Sequence, residues 1–353
     1  MHNRARKAVN RRVPILYRHS RSCSFFKQRP QRVVLGSKEP SSYCFEARKD
    51  SRLSLRQVSA TSPRFASPAA FRVDCRLRRK PGVLEDFPVY AFKYQRAESV
   101  GAASAALSAD DSAKVLSGGM TLLPSMKHRL TAPSALIDVA RLPEMTGVRQ
   151  EGDHWWVGAA TKHQDVAAHP GLQKAMPGLT TLAGLIGDPQ VRARGTLGGS
   201  LANNDPSADY PSAALALQAQ IITDRRTIEA DDFFLGMFAT ALHSDEVITG
   251  VRFRTPQRCA YAKFKHPASG YAMAGVFVAQ YAAAGAANGG WRVAVTGVAN
   301  GVFRWHEAEQ ALAQGAQPPA MQRDDVIDDV HAPAAYRTHL ALQMLAQARQ
   351  SLS

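Results

Sequence analysis

Two short stretches concentrate bare backbone and hydroxyl groups: LSGGMTLLPSMK at residues 116–127, and TLGGSLANNDPSADYP at residues 196–211. In each, a Gly-Gly pair stands between a hydroxyl residue before it (Ser117, Thr196) and another after it (Thr121, Ser200). Glycine removes the Cβ that would hold a ligand off the main chain, and it tolerates positive φ. Successive N–H groups turned inward form an anion nest, to which flanking hydroxyls add donors. Two such turns could cradle a pyrophosphate from two sides. Each could equally be a tight turn between elements. Neither is G-x-G-x-x-G or G-x-x-x-x-G-K-[ST], which disfavours a Rossmann or P-loop nucleotide site.

Other chemistries find little support. No acid/base pair or activated nucleophile is conspicuous. Cys23, Cys44, Cys75 and Cys259 form no C-x-x-C and no Cys/His spacing suited to zinc or an iron–sulfur cluster, so metal ligands are expected to be none. The eleven histidines are scattered singly. The net charge of +15 would suit a nucleic-acid binder, but residues 1–90 hold 21 Lys+Arg against 6 Asp+Glu, which accounts for all of it. The remaining residues balance, so a phosphate-tracking surface on the folded body is disfavoured. No apolar run reaches 18 residues, so no spanning helix is expected.

The elements that must position the two turns alternate quickly. Residues 1–88 are rich in Arg, Ser and Pro and lack periodicity, which predicts disorder. That leader reads as a targeting peptide, a basic interaction tail, or the product of a start codon placed too far upstream; the last is favoured because patterning begins abruptly at Val89. From there VYAFKYQ (89–95) reads as a strand edge, SVGAASAALSAD as a short helix, AKVLSGG (113–119) as a buried strand, and SALIDVA and HWWVGAA as further strands. Thr161 with Gln164 predicts a capping box opening a helix, and Pro177 and Pro211 suit helix first turns. A hairpin around Asp224–Arg225, a strand at 246–253, three more strands, and two helices (HEAEQALAQG and AAYRTHLALQMLAQARQSL) complete the chain. This order, without regular βαβ spacing, predicts an α+β fold.

GDPQVRARGTLGGSLANNDPSADYP (187–211), with SGGMTLLPSMKHRL upstream, HPASGYAMAGVFV downstream and DVHAPAAYRTHL (329–340) near the end, resembles the FAD-binding medium subunit of the molybdenum hydroxylases. The carbon monoxide dehydrogenase flavoprotein is the nearer resemblance and the xanthine dehydrogenase flavin domain the more distant. The resemblance runs from about Val89 to the C-terminus, and residues 1–88 have no counterpart in it. It implies a two-lobed FAD-binding domain of the PCMH type over 89–256, with lobes at about 89–143 and 144–256. A small α+β C-terminal domain over 257–353 would follow. It also places residues. Ser117, Gly118, Gly119, Met120 and Thr121 fall on one diphosphate loop, and Thr196, Leu197, Gly198, Gly199 and Ser200 on the other. Asp209 would hydrogen-bond the cofactor's polar chain, Tyr271 would approach the isoalloxazine, and Lys265 would lie near the ring. Ile186 stands where xanthine dehydrogenases carry an aromatic residue. Plainer roles compete: helix capping for Asp209, core packing for Tyr271, solvation for Lys265, and phosphate neutralisation or surface ion pairing for Arg192 and Arg194.

By that resemblance the chain has no catalytic residue of its own. FAD would pass electrons from two [2Fe–2S] clusters in a small partner subunit, fed by molybdenum in a large molybdopterin-binding subunit, to an external acceptor. A dimer of heterotrimers, in the cytoplasm or at the inner face of the membrane, is the implied setting, without nucleic acid or a transmembrane segment. Two rival functions remain. A free-standing PCMH-type flavin oxidase is disfavoured because neither turn carries a His or Cys for covalent flavin, and only about a hundred residues follow Phe253. A nucleic-acid or membrane-surface binder would rest on the basic leader alone.

Overall fold

Hydrophobic alternation forms four sheets in the residues described by the computed structural model, 89–282 and 290–352. The expected leader, residues 1–88, lies outside them. The first sheet combines β1 (Lys93–Arg96), β3 (Ala135–Asp138) and β2 (Lys114–Leu116) in that order, all parallel, with α1 (Val100–Ser108) and α2 (Leu122–Lys127) in the crossovers. Ser99 caps α1 by accepting from the Ala102 N–H. The buried strand expected at 113–119 is three residues long and half exposed, because β3 takes the central place and carries the apolar run Ala135–Ile137.

The second sheet is antiparallel, ordered β4–β5–β10–β6–β7: β4 (Val148–Glu151), β5 (His154–Gly158), β10 (Ile248–Arg254), β6 (Gln220–Thr223) and β7 (Thr227–Glu229). Six helices fill the connection from β5 to β6: α3 (His163–Ala168), α4 (Pro170–Ala175), α5 (Pro177–Leu185), α6 (Pro189–Arg194), α7 (Leu197–Asn203) and α8 (Tyr210–Ala216). α9 (Ala230–Phe233) and the small ribbon β8 (Phe234–Gly236) with β9 (Ala239–Thr240) follow β7. The capping box expected at Thr161 does not form. The Thr161 hydroxyl instead donates to the Gly147 carbonyl and accepts from its N–H, and α3 opens after Lys162 without a side-chain cap. Pro177 and Pro211 do sit in helix first turns.

The hairpin expected at Asp224–Arg225 joins β6 to β7, and one carboxylate locks it. Glu246 has a fully buried side chain that accepts from Arg226 Nε and Nη2, the Thr223 hydroxyl and the His243 N–H. Arg226 above all holds that carboxyl down at about 2, against the opposing effect of burial. The folded pKa lies below the unfolded one, so the stabilisation is complete above about pH 4.5 and is lost as pH falls through about 2. Glu246→Gln is expected to flatten this acid limb in urea unfolding followed from pH 5 to 2, removing on the order of 2 kcal/mol of pH dependence.

The third sheet runs β11 (Arg258–Lys265), β12 (Ala272–Gln280), β13 (Trp291–Thr296) and β14 (Phe303–Arg304), all antiparallel. Its strands alternate faces. Ala260, Ala262, Val276, Val278, Val293 and Val295 join the core under α10 (His306–Ala313) and α11 (Ala334–Gln350). Cys259, Tyr261, Phe277, Ala279 and Ala294 join the larger core shared by the first two sheets and by α3, α4, α5, α7 and α8. Helices α5 and α8 pack on that second face, so the sheet is covered on both sides.

Candidate functional site

The two glycine turns, about 80 residues apart in sequence, touch. The Thr196 hydroxyl donates to Ser117 Oγ at 3.0 Å. A Cβ on Gly118 would stand 2.3 Å from the Arg194 carbonyl oxygen and 2.7 Å from Gly195 Cα, so only glycine lets the turns close on each other. Gly119 has φ +71°, in the region that glycine favours. The N–H groups of Gly118, Gly119, Met120 and Thr121 have no main-chain partner among the described residues. Four successive amides without a main-chain partner, at a positive-φ turn, are donors of the kind that an anion nest uses.

The second turn works differently from its expected role. Gly198 and Gly199 lie in the first turn of α7, not in a positive-φ loop, and the nearby amides are already bonded: Leu197 N–H to the Thr161 carbonyl, Gly198 N–H to Ala159, Ser200 N–H to Thr196. The Gly199 N–H goes to Thr196 Oγ1, the helix cap. Gly198 is glycine because a Cβ would meet Ala159 Cβ at 2.5 Å; the reason is packing against β5's end, not ligand approach. Gly199 is exposed, and a Cβ there would meet only Thr196 Oγ1, at 3.0 Å, with open space beyond. Ser200 follows, half-buried. The second turn is thus a buttress that offers one bare Cα face.

Helix α6 connects this region to the rest of the site. Its C-terminal end carries the Arg194 carbonyl that packs on Gly118, and its N-terminal side begins beside Gly187, 3.9 Å from a Cβ on Gly270 at the β11–β12 hairpin tip. Six helical residues span roughly 9 Å. The half-buried Arg192 donates to the Ile186 and Gly187 carbonyls, so it braces the backbone, and among the described residues it forms no ion pair with a carboxylate. Arg194 is exposed. At the hairpin mouth the exposed Lys265 pairs in register with Ala272, next to Tyr271, which is 48% exposed and therefore no core aromatic. Burial first, then Asp205 and Asp209, push the Tyr271 phenol up.

Asp209 is placed otherwise than expected. It stands at the N-cap position of α8, yet its side chain makes no cap bond. Tyr261 donates its hydroxyl to Oδ1, and Lys263 donates to Oδ2 at 2.9 Å. Both carboxylate oxygens are thus engaged inside the protein, and the side chain of Lys263, a residue sequence reasoning missed, is fully buried. The available signal was Lys263 within RCAYAKFK, on the same strand face as the buried Cys259 and Tyr261, needing a counter-charge that only a buried acid could supply.

Behind the second turn lies His163, whose backbone N–H donates to the Gly195 carbonyl and whose ring packs 5.3 Å from that of Tyr210. Burial and then Arg192 hold its imidazole down at about 4. An unfolded histidine takes its proton near 6.5, so the unfolded chain binds more protons between pH 6.5 and 4 and stability is lost across that window as pH falls. His163→Gln is expected to remove on the order of 2 kcal/mol of that dependence in thermal unfolding scans over the same range.

The family described as FAD binding domain in molybdopterin dehydrogenase matches residues 90–256. The carbon monoxide dehydrogenase medium chain of Hydrogenophaga pseudoflava is 36% identical over 274 residues, covering 73% of this chain and 95% of that one. The chain belongs to the FAD-binding medium subunits of the molybdenum hydroxylases. This medium subunit is also 34% identical over 269 residues to the nicotine 6-hydroxylase medium subunit of Paenarthrobacter nicotinovorans, covering 72% and 95% of the two chains. Reconstituted CO dehydrogenase from Oligotropha carboxidovorans superposes with a TM-score of 0.66 at 30% identity, over 75% of this chain and 98% of that one. The chemistry of the first turn is compatible with the cofactor of this family. Amides at 118–121 without a main-chain partner suit an anionic diphosphate, and Gly199 presents a bare, exposed face on the neighbouring turn.

Proposed function

We propose that this chain is the electron-relay subunit of a carbon monoxide dehydrogenase-like molybdenum hydroxylase. Bound FAD would supply the redox chemistry, accepting electrons from [2Fe–2S] clusters of a small partner and delivering them to an external acceptor. The chain's own residues bind and orient. Gly118, Gly119, Met120 and Thr121 would hold the diphosphate through their amides, and Ser117 and Thr196 would fix the two turns at one spacing. Gly199 and Ser200 would offer the close-approach face. Tyr271, Lys265 and Ile186 would border the ring end, and Asp209 would act through its charge.

The observation that supports this reading is the direct contact of the turns, Thr196 hydroxyl to Ser117 Oγ, which brings two distant segments together. Substrate choice would belong to a large molybdopterin-binding partner: the two relatives named above refer to carbon monoxide and to nicotine, yet each shares about a third of its residues with this chain. The assembly would be a dimer of heterotrimers in the cytoplasm, its FAD domain spanning 89–256 and its C-terminal domain 257–353. Among the described residues no helix is long and apolar enough to cross a membrane.

The test compares the FAD-loaded chain alone with the same chain joined by its large and small partners. Flavin bleaching at 450 nm on adding the hydroxylase substrate is expected only in the complex. Bleaching by a small substrate with the chain alone would replace this reading with that of a free-standing oxidase.

A further inference from the structure

A buried ion pair seldom stabilises a fold more than apolar residues of the same volume would, because desolvation offsets the attraction. Lys263 and Asp209 nonetheless meet at 2.9 Å, with side chains 0% and 5% exposed. The pair is built in detail. Gly275 stands opposite Lys263 in the sheet register, and a Cβ there would lie 2.4 Å from the Tyr261 hydroxyl, so the bare position admits the phenol that completes the carboxylate's bonding. Lys263 Nζ also reaches the Leu185 carbonyl at 3.5 Å, one residue before Ile186. Asp209 is close enough to influence the Tyr271 phenol, and Lys265 is close enough to influence Asp209. Lys263 stands two residues from Lys265 on β11 and reaches the residue before Ile186, so the pair adjoins residues assigned above to the ring end of the cofactor.

We infer that Lys263, acting through Asp209, is a positioning residue that sets the reduction potential of the bound flavin; this rests on the functional reading given above. Its electrostatic logic is simple. Reduction adds negative charge, so a nearby cation favours it and a nearby anion opposes it. Lys263 partly cancels Asp209, and the two together leave a dipole beside the residues assigned to the ring end. Substitution of either partner unbalances it, in opposite senses.

The experiment measures the flavin midpoint potential by spectroelectrochemistry on the full-length FAD-loaded chain, with FAD content recorded for every variant. Lys263→Met removes the cation, and under alkaline conditions, where the carboxylate keeps its charge, is expected to lower the potential. Asp209→Asn leaves the ammonium uncompensated and should raise it. Each shift should correspond to about a tenfold change in the oxidised-to-reduced ratio, about 30 mV for a two-electron couple. The double variant should return close to the native value. Tyr261→Phe keeps the ion pair and removes one donor to the carboxylate, so it supplies a milder arm if a single charge variant fails to fold: a smaller shift, downward. Shifts of the same sign in both charge variants, or an unmoved potential in Tyr261→Phe and whichever charge variants keep their FAD, would overturn the inference. A native chain that takes up no FAD at all would overturn the functional reading instead.

Discussion

Gly199→Val is expected to yield a folded protein that has lost its yellow colour. The glycine is exposed at the third position of α7, where an added Cβ meets only the cap hydroxyl, so nothing in the protein's own packing demands a bare residue there. Replacing glycine in a helix ordinarily lowers the entropy cost of folding, by up to about 1 kcal/mol for alanine and less for a β-branched residue. Unfolding stability should thus stay within about 1 kcal/mol of native. If FAD lies against the bare face of Gly199 as proposed, the isopropyl group would occupy that space, and FAD affinity should fall at least on the order of 100-fold, about 3 kcal/mol. Gly198→Ala separates the two roles. Its Cβ would press on Ala159, so it should cost about 1–3 kcal/mol of stability by overpacking, and any flavin loss would follow from that. Flavin absorbance at 450 nm and urea unfolding of the two variants check the contrast.

The second large effect concerns the buried pair. Asp209→Ala strands the ammonium of Lys263 in a site without solvent, and removing one partner of a buried ion pair costs about 3–5 kcal/mol. Burial pushes the Asp209 carboxyl up, while Lys263 and Tyr261 pull it back, so the acid depends on these two partners for its charge. Asp209→Leu combined with Lys263→Met should cost less than either single change, because the apolar pair has no charge to desolvate. A double-mutant cycle by denaturant unfolding is expected to give a coupling on the order of 2 kcal/mol or more. Additive losses would mean that the two side chains do not depend on each other.

Much of this was readable in advance, for reasons that differ by element. The long strands β11–β13 and helix α11 carry sustained period-2 or helical patterning, so their type followed from the residues. β2 and β4, of three and four residues, are held by their neighbours in the sheet rather than by a pattern of their own, which is why β2 was expected longer and β4 not at all. The two glycine pairs stood out by composition, and their hydroxyl flanks do meet. What composition could not show is that their amides have different fates. Whether a Gly-Gly pair opens a helix or forms a nest depends on who accepts its N–H groups, and the acceptors Thr161 and Ala159 lie more than thirty residues from Gly198 in sequence. Asp209 was legible as a special carboxylate within DPSAD; its partners on β11 were not, since they come from a strand 52 and 54 residues onward.

The account depends most on the unequal division of work between the turns, and residue-resolved amide hydrogen exchange reads it directly. Comparing the chain with and without bound FAD, protection should appear at Gly118, Gly119, Met120 and Thr121, with little change at Leu197, Gly198 and Ser200, whose N–H groups already have partners. Protection gained at 197–200 and none at 118–121 would contradict it.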